Sequence, residues 1–353
     1  MAGVVGRRGS ASLIDFKFGA VDTQTIEDAL LHLAQENERA VREARGQAGS
    51  FRETRIVGVV PGLGGNGEFV FLLSEQWCLE KSVSYQAVEI LERFMVKQAE
   101  SICNQPVTVV RGNEKAESWN WRAQKEELCN MFVLRLVSCV QLASKLSFHY
   151  KIVSNVTVLN FLQALGYLYT KEELLESELA ILKSLNFQIN LPTPLAYVEM
   201  LLEVLGRNKG RTSTLSMPHP GYNGCLVSAK QLHGTCLTLL DLVYLLHEPI
   251  YESLLRASTT PMEQGRKYVS VKEDFMLLAV GIIAASAFIQ NQEWWGQVVE
   301  HLHSITGIAT ESIAEFSHAI LTHGVGASTP IRQQPGLHHL AARPLRAAAT
   351  CNM

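Results

Sequence analysis

Two isolated charges sit in segments that are otherwise rich in apolar residues. Lys145 lies near the end of LRLVSCVQLASKLS (134–147), and Glu178 lies at the start of SELAILKSLNFQINLPTPLAYVEMLL (177–202). A lysine at a helix end can lay its methylene stem on a core while its ammonium reaches the surface, where it also favours the negative end of the helix. If the two helices pack side by side, the charges border one face. There they can hydrogen-bond to backbone groups at the end of a partner's helix and fix its register. On residue types alone, a pair of solvated helix ends is the simpler account.

A second chemistry is written in GLGGNG (62–67), which matches G-x-G-x-x-G after the apolar run RIVGVV (55–60). A dinucleotide site would use Gly62 for a tight turn, Gly64 for backbone approach to pyrophosphate, and Gly67 at the anion-binding start of a helix. The pattern fails further along. The following segment continues as helix, and the acid about 20 residues on, Glu80, stands between two helices rather than at a strand end. A glycine-rich insertion over 58–67 without fixed structure is the plainer expectation, because removing it joins RIV to EFVFLLSEQW in helical phase. A similar polar, Pro/Gly-broken stretch at 207–221 reads as a second insertion.

The remaining chemistry-bearing groups are sparse. His301 and His303 have no further ligands at zinc spacing and read as a surface pair. Asp241 reads as a lone polar group or a structural hydrogen-bond acceptor, and neither it nor Asp274 has an acid partner on an equivalent element. Trp294 and Trp295 open a helix and read as core filling. No G-x-S-x-G, H-E-x-x-H or Walker A pattern occurs, so no catalytic residue, metal ligand or cofactor is assigned.

The elements that position Lys145 and Glu178 are helices. Apolar residues recur at helical spacing over 68–79, 84–99, 121–147, 155–165 and 172–186, and again over 193–205, 228–247, 271–290, 294–304 and 309–322. In each set the third helix has the most continuous apolar surface, as the centre of a bundle would. Pro192 forces an extended step between the sets. The expectation is an all-α chain of two tandem five-helix units over 54–190 and 191–323. Residues 1–53 form an extension with one short helix, opened by a capping box of Thr25 and Asp28. Residues 324–353 form a disordered tail.

Bulk properties exclude several classes. The 353 residues are enough for two domains, and the 47% apolar content supplies their cores. A net charge of −3 gives no general attraction to nucleic acid or acidic lipid. Seven cysteines with no C-x-x-C fit a reducing compartment. The start, MAGVVGRRGSASLIDF, has no apolar stretch of secretory length, so no signal peptide is expected. FMLLAVGIIAASAFIQ (275–290) is shorter than the ~20 residues that cross a bilayer.

At these residues the chain resembles the cyclin family. LASKLS resembles the end of the central helix of a first cyclin box, with Lys145 at the kinase-contacting lysine. ESELAILKSLNFQINLPTP resembles the fifth helix and the start of the second box, with Glu178 at the contacting glutamate. YQAVEILERFM (85–95) is similar to the second helix, with Glu92-Arg93-Phe94 where cyclins usually have Asp-Arg-Phe. From SASLIDFKFGAV through HGVGA the resemblance is closest to a meiotic branch of the family. It implies a non-catalytic regulator of crossover designation and maturation in germ cells, including spermatogenesis. It places the protein in the nucleus on meiotic chromosomes, with the cytoplasm as a second compartment. The implied partners are a cyclin-dependent kinase, the replication factor C clamp loader, and the ubiquitin- and SUMO-ligase pathway of crossover factors.

Two departures bear on this. Lys145 leads into Leu146, Ser147, Phe148 and His149, where kinase-activating cyclins carry acids. The first-helix stretch EFVFLLSEQW lacks the arginine of the Met-Arg-Ala-Ile-Leu patch that recruits substrates. The expected function is therefore an adaptor. An activating cyclin subunit is the alternative, and a nucleotide-binding oxidoreductase through Gly62, Gly64 and Gly67 is a distant third.

Overall fold

The computed structural model describes residues 21–47, 63–104, 126–147, 152–207, 229–255 and 271–324. These form twelve α-helices, short helical stretches at 126–130 and 271–272, and one 3-10 turn, with no strand among the described residues. The order is α1 (Thr23–Gln47), α2 (Leu63–Gln76), α3 (Lys81–Asn104), α4 (Phe132–Leu146), α5 (Asn155–Ala164), α6 (Lys171–Ser184) and α7 (Pro194–Arg207). It continues with α8 (Ala229–Leu245), α9 (His247–Leu255), α10 (Phe275–Gln290), α11 (Trp295–Thr306) and α12 (Thr310–Gly324).

Two helices organise the rest. α4 packs against α2, α3, α5 and α6, and α10 packs against α7, α8, α11 and α12. Both are the helices whose apolar surface is most continuous in sequence. α10 contains no charged residue, and its segment from Leu278 to Ala287 is buried on every side. A Cβ at Gly281 would stand 2.8 Å from a ring carbon of Phe316, so only glycine lets α12 approach this closely. In α4 the fully buried side includes Leu136, Val137, Cys139, Val140 and Ala143.

Several local expectations are revised. α1 spans 25 residues rather than one short helix, and Asp22 caps it, not a Thr25–Asp28 box. The Asp22 carboxylate accepts from the Thr25 backbone N–H at 2.9 Å, while Asp28 accepts from the Gln24 side chain. α4 is not continuous from 121: residues 126–130 are helical, Met131 is a turn position, and 121–125 lie outside the described residues. The expected helix over 228–247 ends at Leu245 and a separate α9 follows. Pro249 explains the break, since it has no N–H for the Leu245 carbonyl and its ring would clash there. Residues 58–62 of the first expected insertion, and 208–221 of the second, lie outside the described residues. Leu63 to Gly67 form the start of α2 and so are not unstructured.

α1 lies against α7 and α10. Asn37 accepts from the backbone N–H of Met276 at 3.1 Å and donates to Asp274 at 2.9 Å, joining the cap at the start of α10. The two helix groups meet where α2 and α3 face α7 and α8. Lys81 and Tyr85 both reach Asp241, each at 2.7 Å. The rings of Tyr85 and Tyr244 stack at 5.3 Å, and Phe71 stands edge-on to both. One helical turn past Tyr85, Glu89 accepts from the Tyr244 hydroxyl at 2.7 Å, and Glu92 pairs with Lys272 at 3.1 Å.

This seam makes stability depend on pH. Burial, then the neighbouring Glu92, push the Glu89 carboxyl from its usual 4.5 up to about 8; the Tyr244 hydrogen bond opposes them and Glu273 reinforces them. Between those two pH values the folded chain holds a proton that the unfolded chain has released, so stability falls as pH rises through this window and levels off above it. Thermal melts from pH 5 to 9 are expected to show this decline, and Glu89→Gln to flatten it. An unchanged slope in the variant would remove Glu89 as its source.

Candidate partner-docking site

α4 and α6 pack closely because small polar residues meet between them. The Ser138 hydroxyl donates to the Leu134 carbonyl and lies 2.8 Å from the Ser177 hydroxyl, while Arg135 donates to the Ser177 carbonyl at 3.0 Å. α6 is started firmly by a reciprocal cap. Thr170 Oγ1 accepts from the Glu173 backbone N–H, and the Glu173 carboxylate accepts from the Thr170 backbone N–H at 2.7 Å. Such a cap contributes about 1 kcal/mol. At the other end of α4, Gln141 donates to the Val153 carbonyl and to Asn155, and Ser144 accepts from the Val153 N–H. These contacts fix the last turn of α4 beside α6.

That geometry brings Lys145 to Glu178, with Nζ 2.5 Å from Oε1. The lysine side chain keeps 36% of its surface exposed and the glutamate only 8%. The two charges predicted from sequence to border one face are therefore paired with each other. Their remaining capacity is one carboxylate oxygen and two ammonium hydrogens, the donor and acceptor set that can bridge to the polar end of a partner's helix.

Sequence reasoning missed the apolar part of this face. Leu175 and Leu179, one turn apart on α6, are both exposed. Beyond the helix, Asn186 and Phe187 have φ of 51° and 62°, and Phe187 is 64% exposed. The Phe187 N–H donates to the Leu182 carbonyl and closes the turn that ends α6. The available signal was positional: Leu175 precedes Glu178 by three residues and Leu179 follows it directly, in a helix whose inward stripe is already filled by Leu174, Ile181 and Leu185.

The other candidate groups are not brought to this face. Asp241 serves as an acceptor in the seam between the helix groups. His301 and His303 are exposed on α11, and His303 Nδ1 lies 2.8 Å from the Ile308 carbonyl. Among the described residues, no three His, Cys, Asp or Glu side chains gather to hold a metal. Gly64 and Gly67 lie within α2 rather than in a turn after a strand, while Gly62 and RIVGVV fall outside the described residues. Trp295 packs on the core, and Trp294 is half-buried in the preceding 3-10 turn. A shallow depression of about 500 Å³ on α11, lined by Gly296, Gln297, Glu300, His301 and Ser304, belongs to the other helix group. No described helix is long and apolar enough to cross a membrane.

No protein-family model matches the chain. It is 73% identical over 339 residues to cyclin N-terminal domain-containing protein 1 of Mus musculus, covering 95% of this chain and 93% of that protein. It is 72% identical over 347 residues to the Homo sapiens protein of the same name, covering 97% of each.

The pair has a stability signature. Lys145→Ala leaves the Glu178 carboxylate nearly closed off from water and unpaired, which is expected to cost about 1–2 kcal/mol, held to the low end by the lysine's own exposure. Adding Glu178→Ala removes the stranded charge and is expected to recover part of that loss. Urea unfolding of the two single variants and the double variant measures the coupling; strictly additive effects would mean the pair is not formed in solution.

Proposed function

Because this chain belongs to the cyclin N-terminal domain-containing protein 1 family, we propose that it is a non-catalytic cyclin-like adaptor that docks a cyclin-dependent kinase on the face formed by the end of α4 and the outer side of α6. The observation that carries this reading is the Lys145–Glu178 pair with the exposed Leu175 and Leu179 adjacent to Glu178 on α6. Charge fixes the register of an incoming helix, and the apolar side chains supply desolvated contact. Within this reading the chain acts in the germ-cell nucleus, promoting crossover designation and maturation in meiosis. It does so together with the replication factor C clamp loader and the ubiquitin- and SUMO-ligase pathway. That setting rests on the resemblance running from SASLIDFKFGAV to HGVGA.

An activating cyclin subunit remains the second reading, favoured by the same face. Against it stands the replacement of the acids after Lys145 by Leu146, Ser147, Phe148 and His149.

Two assays separate these readings. Co-precipitation of a purified cyclin-dependent kinase is expected to weaken at least several-fold with Lys145→Ala/Glu178→Ala, and to fall further with Leu179→Asp added, while helix content is unchanged. Retention of the kinase by the triple variant would move docking to another surface. With wild-type chain, phosphate transfer by that kinase to a generic substrate is expected to stay near its unassisted rate. Strong stimulation would replace the adaptor with an activator.

A further inference from the structure

α6 carries two apolar stripes, and only one of them is inside. Leu174, Ile181 and Leu185 line the inward stripe, all buried, and Glu178 falls on the same stripe at helical spacing. Leu175, Leu179 and Leu182 form a second stripe, displaced by one residue and so by about 100° around the helix axis. Leu175 and Leu179 are 43% and 42% exposed, and Leu182 is half-buried at the edge of the core. Each stripe has three large apolar side chains, yet the first also takes a carboxylate inside, which costs free energy unless it is paired. Spacing of i, i+4 and i+7 is what a helix normally turns inward, and 175, 179 and 182 have it without a charge. Apolar burial alone therefore does not select the observed rotation of α6 about its own axis.

Polar contacts to α4 do select it. Ser177 is buried on the flank of the inward stripe that lies away from Leu175 and Leu179. Its hydroxyl stands 2.8 Å from the Ser138 hydroxyl, and its carbonyl accepts from Arg135 Nη1 at 3.0 Å. Arg135 and Ser138 are three residues apart, so one face of α4 grips both polar groups of a single residue of α6. Among the described residues Arg135 has no ion pair, and its guanidinium lies over the Phe94 ring at 5.6 Å. Burial holds it below its usual value. A half-buried cation without an acid partner is thus spent on one backbone carbonyl, and only the present rotation brings that carbonyl to it. Turning α6 by about 100° to bury Leu175 and Leu179 would carry Ser177 away from both α4 groups.

We propose that Arg135 and Ser138, acting through Ser177, are positioning residues that set the rotational register of α6 and so decide which leucines it turns outward. Lys145 completes the selection by pairing with the Glu178 that this rotation takes inside. The use of the outward leucines for docking rests on the kinase reading above; the register itself does not.

Hydroxyl-radical footprinting of the purified full chain, read residue by residue by mass spectrometry, measures which of these side chains face water. In wild type, Leu175 and Leu179 are expected to be oxidised several-fold faster than Leu174 and Ile181. Arg135→Met/Ser138→Ala/Ser177→Ala is expected to lose most of that contrast with helix content unchanged, and Arg135→Lys, which keeps a donor for the carbonyl, to retain it. A merely structural role would lower the melting temperature of the triple variant and leave the contrast intact; that result overturns the proposal. If the triple variant loses helix content, adding Leu175→Gln/Leu179→Gln, which removes the competing stripe, is expected to restore it with Leu174 and Ile181 protected. A chain that stays unfolded after that addition also overturns the proposal. No kinase enters these measurements, so their outcome is independent of whether α6 docks one.

Discussion

The constraint on which the structure depends is the enclosure of two central helices. α10 has no charge anywhere, and its middle must be covered on all sides; α7, α8, α11 and α12 surround it, and α1 adds a further cover. α4 is enclosed in the same way by α2, α3, α5 and α6. Its buried residues run without interruption from Leu136 to Ser144, so Lys145 is the first side chain that can leave the core with its charge. The position of the proposed docking face follows from this. A charge emerges where the enclosing helices end, and Glu178 on the neighbouring α6 is the group placed to meet it. Gly281 shows how tight the enclosure is, because any side chain there would displace Phe316.

Much of this was legible in residue spacing. The rough bounds of most helices, the two most apolar members and the extended step at Pro192 follow from local apolar period and chain breakers, whereas the direct pairing of Lys145 with Glu178 does not. What was not legible has two physical sources. Local competition between caps decided the start of α1, where Asp22 rather than Thr25 accepts the orphan N–H, and Pro249 split a helix that periodicity alone would continue. Long-range pairing decided the seam: Lys81 with Asp241 and Glu89 with Tyr244 join residues more than 150 positions apart, and no spacing rule links them. The glycine-rich run misled in another way. Glycine is poor in helices, yet Leu63 to Gly67 are helical, with Gly67 buried against the Tyr244 carbonyl.

The proposed docking face would divide its work between charge and apolar surface. Glu178 is almost closed off and already bonded, so a partner gains little bulk affinity from it. In the proposed docking, the exposed Leu175 and Leu179 are the groups whose burial can supply affinity, while the pair restricts which helix end fits. The seam supports this by holding the segment that follows α6: Gln86 and Arg93 on α3 donate to the carbonyls of Ile189 and Gln188, each at 2.7 Å. Phe187 is thus held next to backbone that α3 fixes in place.

The central claim is that a cyclin-dependent kinase covers the end of α4 and the outer side of α6. Hydrogen–deuterium exchange of the chain with and without purified kinase measures this most directly. The account predicts slowed exchange over the last turn of α4 and from Lys171 to Gln188, with α2 and α11 unaffected. Protection confined to α2, to α11 or to the seam, with α6 exchanging as in the free chain, would contradict it.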